Sequence, residues 1–287
     1  MLIIKRLLKF LVYLVLAGVF LVFAYALGMS GIFHSPNGFF QPAAYRSPGG
    51  AILVVGGTRG TGLEIVKRLH EMGEKVVVTV RTSSNTDALD ALGVETVVMD
   101  ALEPEQVKAA VAPGVYKAVV STLGTSSRDL PSRQNTLQGL VKGQTRMDPG
   151  KRPDFLGNRN IIDAAGDANI RRFVLVTVIG AGDSADALPR LARRGHNEVI
   201  PLKTQAENYL RDSGLDYTII RPGGLGPRNL AVTGTARLTE DAQAFSYMGR
   251  TDLADLTIGA LGDSASMGKT YTAYDPSRRF LWKLFID

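Results

Sequence analysis

Cysteine is absent from the 287 residues. Disulfides, a thiol nucleophile and cysteine-ligated metals are therefore excluded, and the redox state of the compartment leaves no mark. Histidine is scarce, at three residues, and nothing has the spacing of a zinc site. There is no basic patch interleaved with aromatics, so nucleic acid is not an expected partner. Charge imbalance is modest at +6, and part of it sits at Lys5, Arg6 and Lys9 beside an apolar run, where anionic lipid is the simplest partner. Neither an internal repeat nor a low-complexity tract is apparent. What is present is the apolar and charged balance of an ordinary globular protein, long enough for one large α/β domain with additions.

The longest apolar run comes first. Phe10 to Leu27 is uncharged, and at 1.5 Å per residue it spans about 27 Å, close to the hydrocarbon thickness of a bilayer. Tyr13 and Tyr25 lie toward its ends, as interfacial aromatics do. Residues 1–28 are expected to form one transmembrane helix with residues 10–27 in the bilayer. The rival is a secretory signal peptide, with a basic n-region and Ala24-Tyr25-Ala26 as its cleavage site; the run is long for that role. The basic N-terminus favours a cytoplasmic start and would send the next domain to the other side. Residues 29–46, with several Gly, Pro and Ser and no sustained period, read as a linker near the membrane surface. The folded domain is expected over 47–287.

That domain is organised around AILVVGGTRGTGL, Ala51 to Leu63. Ala51 to Val55 reads as a buried parallel strand, and Gly56, Gly57, Thr58, Arg59, Gly60, Thr61 and Gly62 turn the chain into an apolar-periodic helix. Glycines let backbone approach phosphate oxygens, and the free amides of a helix start offer donors and a positive dipole. A diphosphate is the expected occupant. Lys75 to Val80 reads as a second strand followed by Arg81. An acidic residue there would suit the 2′-hydroxyl of NAD; arginine suits the 2′-phosphate of NADP. With Arg59 as a second guanidinium, NADP(H) is the expected cofactor. A soluble nicotinamide cofactor is expected in the cytoplasm, so this domain is placed there, although Lys5, Arg6 and Lys9 argue for the opposite face. A third strand, Val94 to Met99, leads to Asp100 and Ala101, where the Asp100 carboxylate can accept from the adenine amino group or cap a helix. A fourth, Ala118 to Ser121, leads to Thr122, Leu123 and Gly124, a turn placed to run beneath the ribose and nicotinamide.

The loop GGTRGTG, the block DFLGNRNIIDAAGDANIRRFVLVTVIGAG (Asp154 to Gly182) and the block KTQAENYLRDSGLDYTIIRPGGL (Lys203 to Leu225) together resemble the atypical, NmrA-like NAD(P)H-binding branch of the short-chain dehydrogenase/reductase superfamily. The resemblance implies a Rossmann-type, doubly wound parallel sheet with a small C-terminal substrate region. The residues agree. Asn158 to Ala168 and Lys203 to Arg211 read as helices, and Arg172 to Val178 and Tyr217 to Ile220 as strands, the last ended by Arg221, Pro222, Gly223 and Gly224. Alternation of this kind implies a parallel sheet with right-handed crossovers. Arg250 to Leu261 reads as a helix and Lys269 to Tyr274 as a strand, placed here in a substrate-side cap.

The resemblance also shows what is missing. Many short-chain dehydrogenases pair a tyrosine with a lysine four residues later, the tyrosine passing the substrate proton. Lys203 occupies the lysine position, but Val199 stands where the tyrosine would be. Of the paired serines common at the end of the preceding strand, only Thr177 remains as a hydroxyl, beside Val178. The expected catalytic residues are thus Thr177 and Lys203, with Lys203 and the Pro222, Gly223 and Gly224 turn also on the cofactor. His196 is a candidate substitute acid. An acceptor needing no strong acid, such as a quinone, flavin or conjugated tetrapyrrole, fits this inventory. Arg128 to Arg159 reads as a long loop over the ligand edge, with Arg128, Arg133 and Arg146 able to meet an anion or lipid. The expectation is a membrane-anchored NADP(H)-dependent oxidoreductase of a small hydrophobic substrate. The alternative is a catalytically silent NADP(H)-binding subunit that senses cofactor or helps assemble a membrane-protein complex.

Overall fold

Residues 2–29, 34–125, 152–188, 198–227 and 229–279 are described by the computed structural model. Along them run α1 (Leu2–Met29), β1 (Phe39–Phe40), β2 (Ala51–Val55), α2 (Gly60–Glu71), β3 (Val76–Val80), α3 (Asp87–Asp90), β4 (Glu95–Val98), α4 (Pro104–Ala110) and β5 (Tyr116–Ser121). A π-helical turn (Pro153–Gly157) continues into α5 (Asn158–Asp167), followed by β6 (Arg172–Val176), α6 (Val199–Asp212), β7 (Asp216–Pro222), β8 (Gly224–Leu225), β9 (Arg237–Thr239), β10 (Tyr247–Met248), α7 (Arg250–Leu261) and β11 (Lys269–Tyr274).

A strand with no polar side chain must be covered on both faces, and β2 is buried along its whole length as an interior strand of the sheet. The sheet order is β1-β9-β11-β7-β6-β5-β2-β3-β4. β2 pairs in parallel with β3 on one side and β5 on the other. From β2 the chain winds outward to β3 and β4, then returns to β5 and winds the other way through β6 and β7. The strand order therefore reverses between β2 and β5, and a crevice opens at the carboxyl ends of an open α/β sheet at such a point.

Period-2 alternation divides the core. Leu53, Val55, Val77 and Val119 face Val107, Ile161, Ile162, Ala206 and Leu210 of α4, α5 and α6. Ile52, Val54, Val78 and Val120 face Ile65, Val66 and Leu69 of α2 and Leu253, Ala254 and Ile258 of α7. Helices on both faces make the sheet doubly wound, as expected. Arg172, buried at the start of β6, ties the layers together. Its guanidinium donates to the Leu261 and Ala260 carbonyls at the end of α7 and to Asp216 O, Thr218 Oγ1 and Ser266 Oγ, at 2.6–3.2 Å. Burial pulls its pKa down to about 10.

Two boundaries differ from the sequence reading. The segment expected as linker holds β1, which pairs antiparallel with β9 at the sheet edge. Phe40 stacks on Tyr271 with ring centroids 5.0 Å apart, Ala43 N donates to Asp263 Oδ2 at 2.7 Å, and His34 Nε2 meets Asp241 Oδ2 at 2.6 Å. The packed region thus begins before Ser47, because these residues cover an edge that would otherwise expose unpaired backbone. Likewise α7 and β11 are no separate cap: α7 packs in the helical layer against α2, and β11 pairs in parallel with β7. The piece lying outside the main sheet beside the carboxyl edge is the short β8–β10 ribbon. α1 is apolar, and its side chains over Lys5–Ala24 pack against nothing within the described residues.

Candidate functional site

The crevice at the switch point has a volume of about 920 Å³, near the upper end of the ~300–1,000 Å³ usual for ligand pockets. Its first wall is the β2–α2 turn. Gly56 and Gly60 have φ of +82° and +60°, which lets the chain reverse without a Cβ clash. Gly62 serves packing: a Cβ there would stand 2.2 Å from Gly56 O and 2.6 Å from Thr122 Oγ1. Helix α2 starts after an extended Arg59 with no side-chain cap on its first amides. Those donors face a ligand or water.

Around this turn the crevice is lined by Thr58, Arg59, Gly60, Thr61, Gly62 and Arg81, and farther on by Asp100, Ala101, Thr122, Leu123 and Gly124. Thr177, Lys203 and Pro222 complete the expected set on its wall. No carboxylate ends β3: Thr79 and Arg81 line the crevice there, and Arg81 N donates to Ser84 Oγ at 2.9 Å to make the next turn. Asp100, just past the end of the neighbouring strand β4, also lines the crevice, with its Oδ1 accepting from Leu102 N at 3.0 Å. It shapes the turn before α4 but is not that helix's cap, a place taken by Glu103.

Three expected contacts are corrected. Ser121 is fully buried; its hydroxyl donates to Asn158 Oδ1 at 2.7 Å and accepts from Leu123 N, so it supports the turn from below and lies outside the crevice wall. Gly223 and Gly224 do not line the crevice either. A Cβ on Gly223 would stand 2.0 Å from Ser246 O, and one on Gly224 2.4 Å from the Tyr247 ring, so both are small to admit the β8–β10 ribbon.

Thr177 is committed differently from a proton donor. Its hydroxyl donates to Glu207 Oε1 at 2.8 Å, which leaves it acceptor capacity only. Glu207, fully buried, also accepts from Arg221 Nε at 3.0 Å and Nη2 at 2.6 Å and from Arg211 Nη2 at 3.1 Å. Arg221 pairs in turn with Asp183. Burial would lower the Arg221 pKa, but the Glu207 hydrogen bond and charge, with Asp183, hold it above the usual value.

Lys203 Nζ donates to Leu123 O and lies 3.5 Å from Asp154 Oδ1, while Asp154 Oδ2 accepts from Thr125 N at 2.9 Å and from the Thr125 hydroxyl. Burial lowers the Lys203 pKa, and the Asp154 charge and hydrogen bond, with Glu207, oppose that. The π-turn before α5 is what delivers Asp154 to this position, and Asn158 Nδ2 holds its carbonyl at 2.8 Å. Val199 is the first residue of α6, one turn before Lys203, so no ionisable hydroxyl stands beside the lysine there.

Among lining residues that the sequence reading missed are Ser83, Asn85, Leu225 and Arg250. Ser83 and Asn85 come soon after Arg81, and a polar run at a strand's carboxyl end was the available signal. Arg250 had no local signal. His196, Arg193, Arg194, Arg128, Arg133 and Arg146 lie outside the described residues, and no metal-binding group of His, Asp and Glu occurs among the described ones.

Known proteins similar to this chain include enzymes. Sanguinarine reductase of Eschscholzia californica is 28% identical over 235 residues, 73% of this chain and 83% of that one. An uncharacterized chloroplast protein of Arabidopsis thaliana is 30% identical over 222 residues, 73% of this chain, which spans 65% of that protein's length. Among solved structures, ChuY, an anaerobillin reductase of Escherichia coli O157:H7, superposes with a TM-score of 0.62 at 28% identity, covering 79% of this chain and 97% of that one. A family model described as NAD(P)H-binding matches residues 56–264, most of the packed region. The chain belongs to this NAD(P)H-binding family, within the NmrA-like, atypical short-chain dehydrogenase/reductases.

Proposed function

We propose that the protein is an NADP(H)-dependent reductase of a small hydrophobic, conjugated acceptor, of which a quinone is the simplest example, held at a membrane by α1. The observation that carries this reading is the pairing of a crevice lined by the glycine-rich turn with the want of both proton-donating hydroxyls: Val199 replaces one, and Thr177 spends its hydrogen on Glu207. The cofactor supplies hydride. An acceptor that delocalises the incoming charge can take its proton from water, so the protein's part is binding and orientation. The amides at Gly60, Thr61 and Gly62 would hold the diphosphate, and Arg59 and Arg81 the 2′-phosphate. Asp100 and Ala101 would border the adenine. Thr122, Leu123 and Gly124 would lie under the nicotinamide half, with Thr177 accepting from its carboxamide and Lys203 on its ribose. Sanguinarine reductase and ChuY, both reductases by name, support the reaction class.

α1 supports the anchor through length and composition: 28 residues, with Leu7 to Phe23 carrying exposed large apolar side chains. The packed domain is placed on the cytoplasmic side, where NADPH is supplied, against the basic-residue bias. Stopped-flow oxidation of NADPH with a quinone and flavin panel is expected to show turnover. Tight NADPH binding without turnover would instead support the silent subunit of a membrane complex, which the missing tyrosine favours. Arg81→Glu is expected to weaken NADPH far more than NADH, and equal losses would remove the 2′-phosphate contact.

A further inference from the structure

The first turn of α7 reaches the glycine-rich turn from the neighbouring place in the same helical layer. Arg250, its first residue, lines the crevice with Leu225 and Leu253. Its Nε stands 3.7 Å and its Cδ 4.0 Å from where a Gly60 Cβ would be, and Nη1 donates to the Gly226 carbonyl. The guanidinium is therefore laid over the bare backbone face of Gly60. Its base is fixed because α7 packs on α2 through Leu253 and Ile258 against Ile65 and Leu69.

We propose that Arg250 is a diphosphate-binding residue that flanks the cradle beside the α2 amides. The assignment rests on the dinucleotide function proposed for this crevice and goes beyond it. A diphosphate carries two negative charges, and the amides of Gly60, Thr61 and Gly62 offer neutral donors only. Arg59 and Arg81 belong to the adenosine end, so charge neutralisation at the diphosphate falls to a cation lying over Gly60. A guanidinium matches phosphate oxygens in a two-pronged geometry that an amide cannot offer. The glycine at position 60 then has a second use besides its φ: without a side chain, backbone and arginine can approach the same phosphates from two directions.

The test uses the full chain and three probes: NADPH, ADP-ribose, which has the diphosphate without the 2′-phosphate, and 2′-AMP, which has the reverse. Arg250→Gln keeps a donor for Gly226 O and loses the charge; Arg250→Lys keeps the charge. With melting temperatures confirming folded variants, Arg250→Gln should weaken NADPH and ADP-ribose by about tenfold each, the scale of one charge-assisted hydrogen bond. It should leave 2′-AMP unchanged, and Arg250→Lys should restore most of the loss. Equal weakening of 2′-AMP, equal behaviour of the Gln and Lys variants, or no change in Arg250→Gln overturns the assignment while leaving the cofactor reading in place. Wild-type protein that binds none of the three probes overturns both.

Discussion

Gly62→Ala tests the geometry on which the site rests. An added Cβ would stand 2.2 Å from Gly56 O, 2.6 Å from Thr122 Oγ1 and 2.9 Å from Gly56 C. Two of these atoms are backbone of Gly56, the first residue past β2, which is itself held between β3 and β5 and gives that residue little room to retreat. The start of α2 must move instead, by about 1.2 Å to bring the 2.2 Å contact to the 3.4 Å of ordinary packing. Overpacking of this kind costs about 1–3 kcal/mol. At roughly 2–4 °C per kcal/mol for a chain of this size, the melting temperature should fall by roughly 2–12 °C. The free amides at the head of α2 move with the helix, and a displacement near 1 Å takes them out of hydrogen-bond range of a diphosphate held by the rest of the cradle. NADPH should bind about tenfold more weakly, the scale of one charged hydrogen bond.

Gly166→Ala is the control. Gly166 lies in α5 without positive φ, and its added Cβ would meet nothing within 4 Å. It should stabilise by about 0.4–1 kcal/mol through the unfolded state and leave NADPH binding unchanged. Titration of NADPH fluorescence with thermal melts reads both variants. If Gly62→Ala melts with the wild type, the crowding at Gly56 is refuted; if it is destabilised yet keeps NADPH affinity within about twofold, the amides of α2 are not the diphosphate site.

Ser121→Ala removes the hydroxyl bridging Asn158 and the Leu123 amide, and should cost about 1 kcal/mol in urea unfolding with NADPH affinity retained. An affinity loss without destabilisation would put Ser121 back on the cofactor. Arg221→Met leaves the Glu207 carboxylate buried with Arg211 and Thr177 only, and should cost about 3–5 kcal/mol; Arg221→Met with Glu207→Leu should recover much of it, and a single variant with wild-type stability would show the pair to be dispensable. The Asp263 carboxylate is held below the ordinary range by the amides of Ala43 and then Ala265. The unfolded chain binds that proton at higher pH than the folded one, so the contribution is complete above about pH 4 and is lost as pH falls through the depressed folded value. Unfolding free energy against pH should flatten there in Asp263→Ala; coincident curves would mean that the residue 34–46 segment docks without it.

The sequence was most informative where a physical signal is local. Ala51 to Val55, the glycine turn and the start of α2 occupy neighbouring positions, and apolar run, φ-permissive turn and helical period all agree there. β1 escaped notice because two phenylalanines have no period to read; their pairing with β9 and stacking on Tyr271 come from far along the chain. Ser121 was a different kind of miss, because the signal existed. Val119 packs on the face of α4, α5 and α6, and two positions on in a strand the side chain shares that face. Ser121 therefore had to point beneath the sheet, away from a ligand lying at its carboxyl edge. The same period does not help with Thr177, which comes after β6 has ended; only the buried Glu207 on α6 decides where its hydrogen goes. Arg250 carries the point further. Its approach to Gly60 depends on α7 packing against α2, a contact between helices far apart in the sequence. Residues near the switch point can be read from their own strand ends, whereas those arriving from the opposite end of the chain become visible only once the two helical layers are in place.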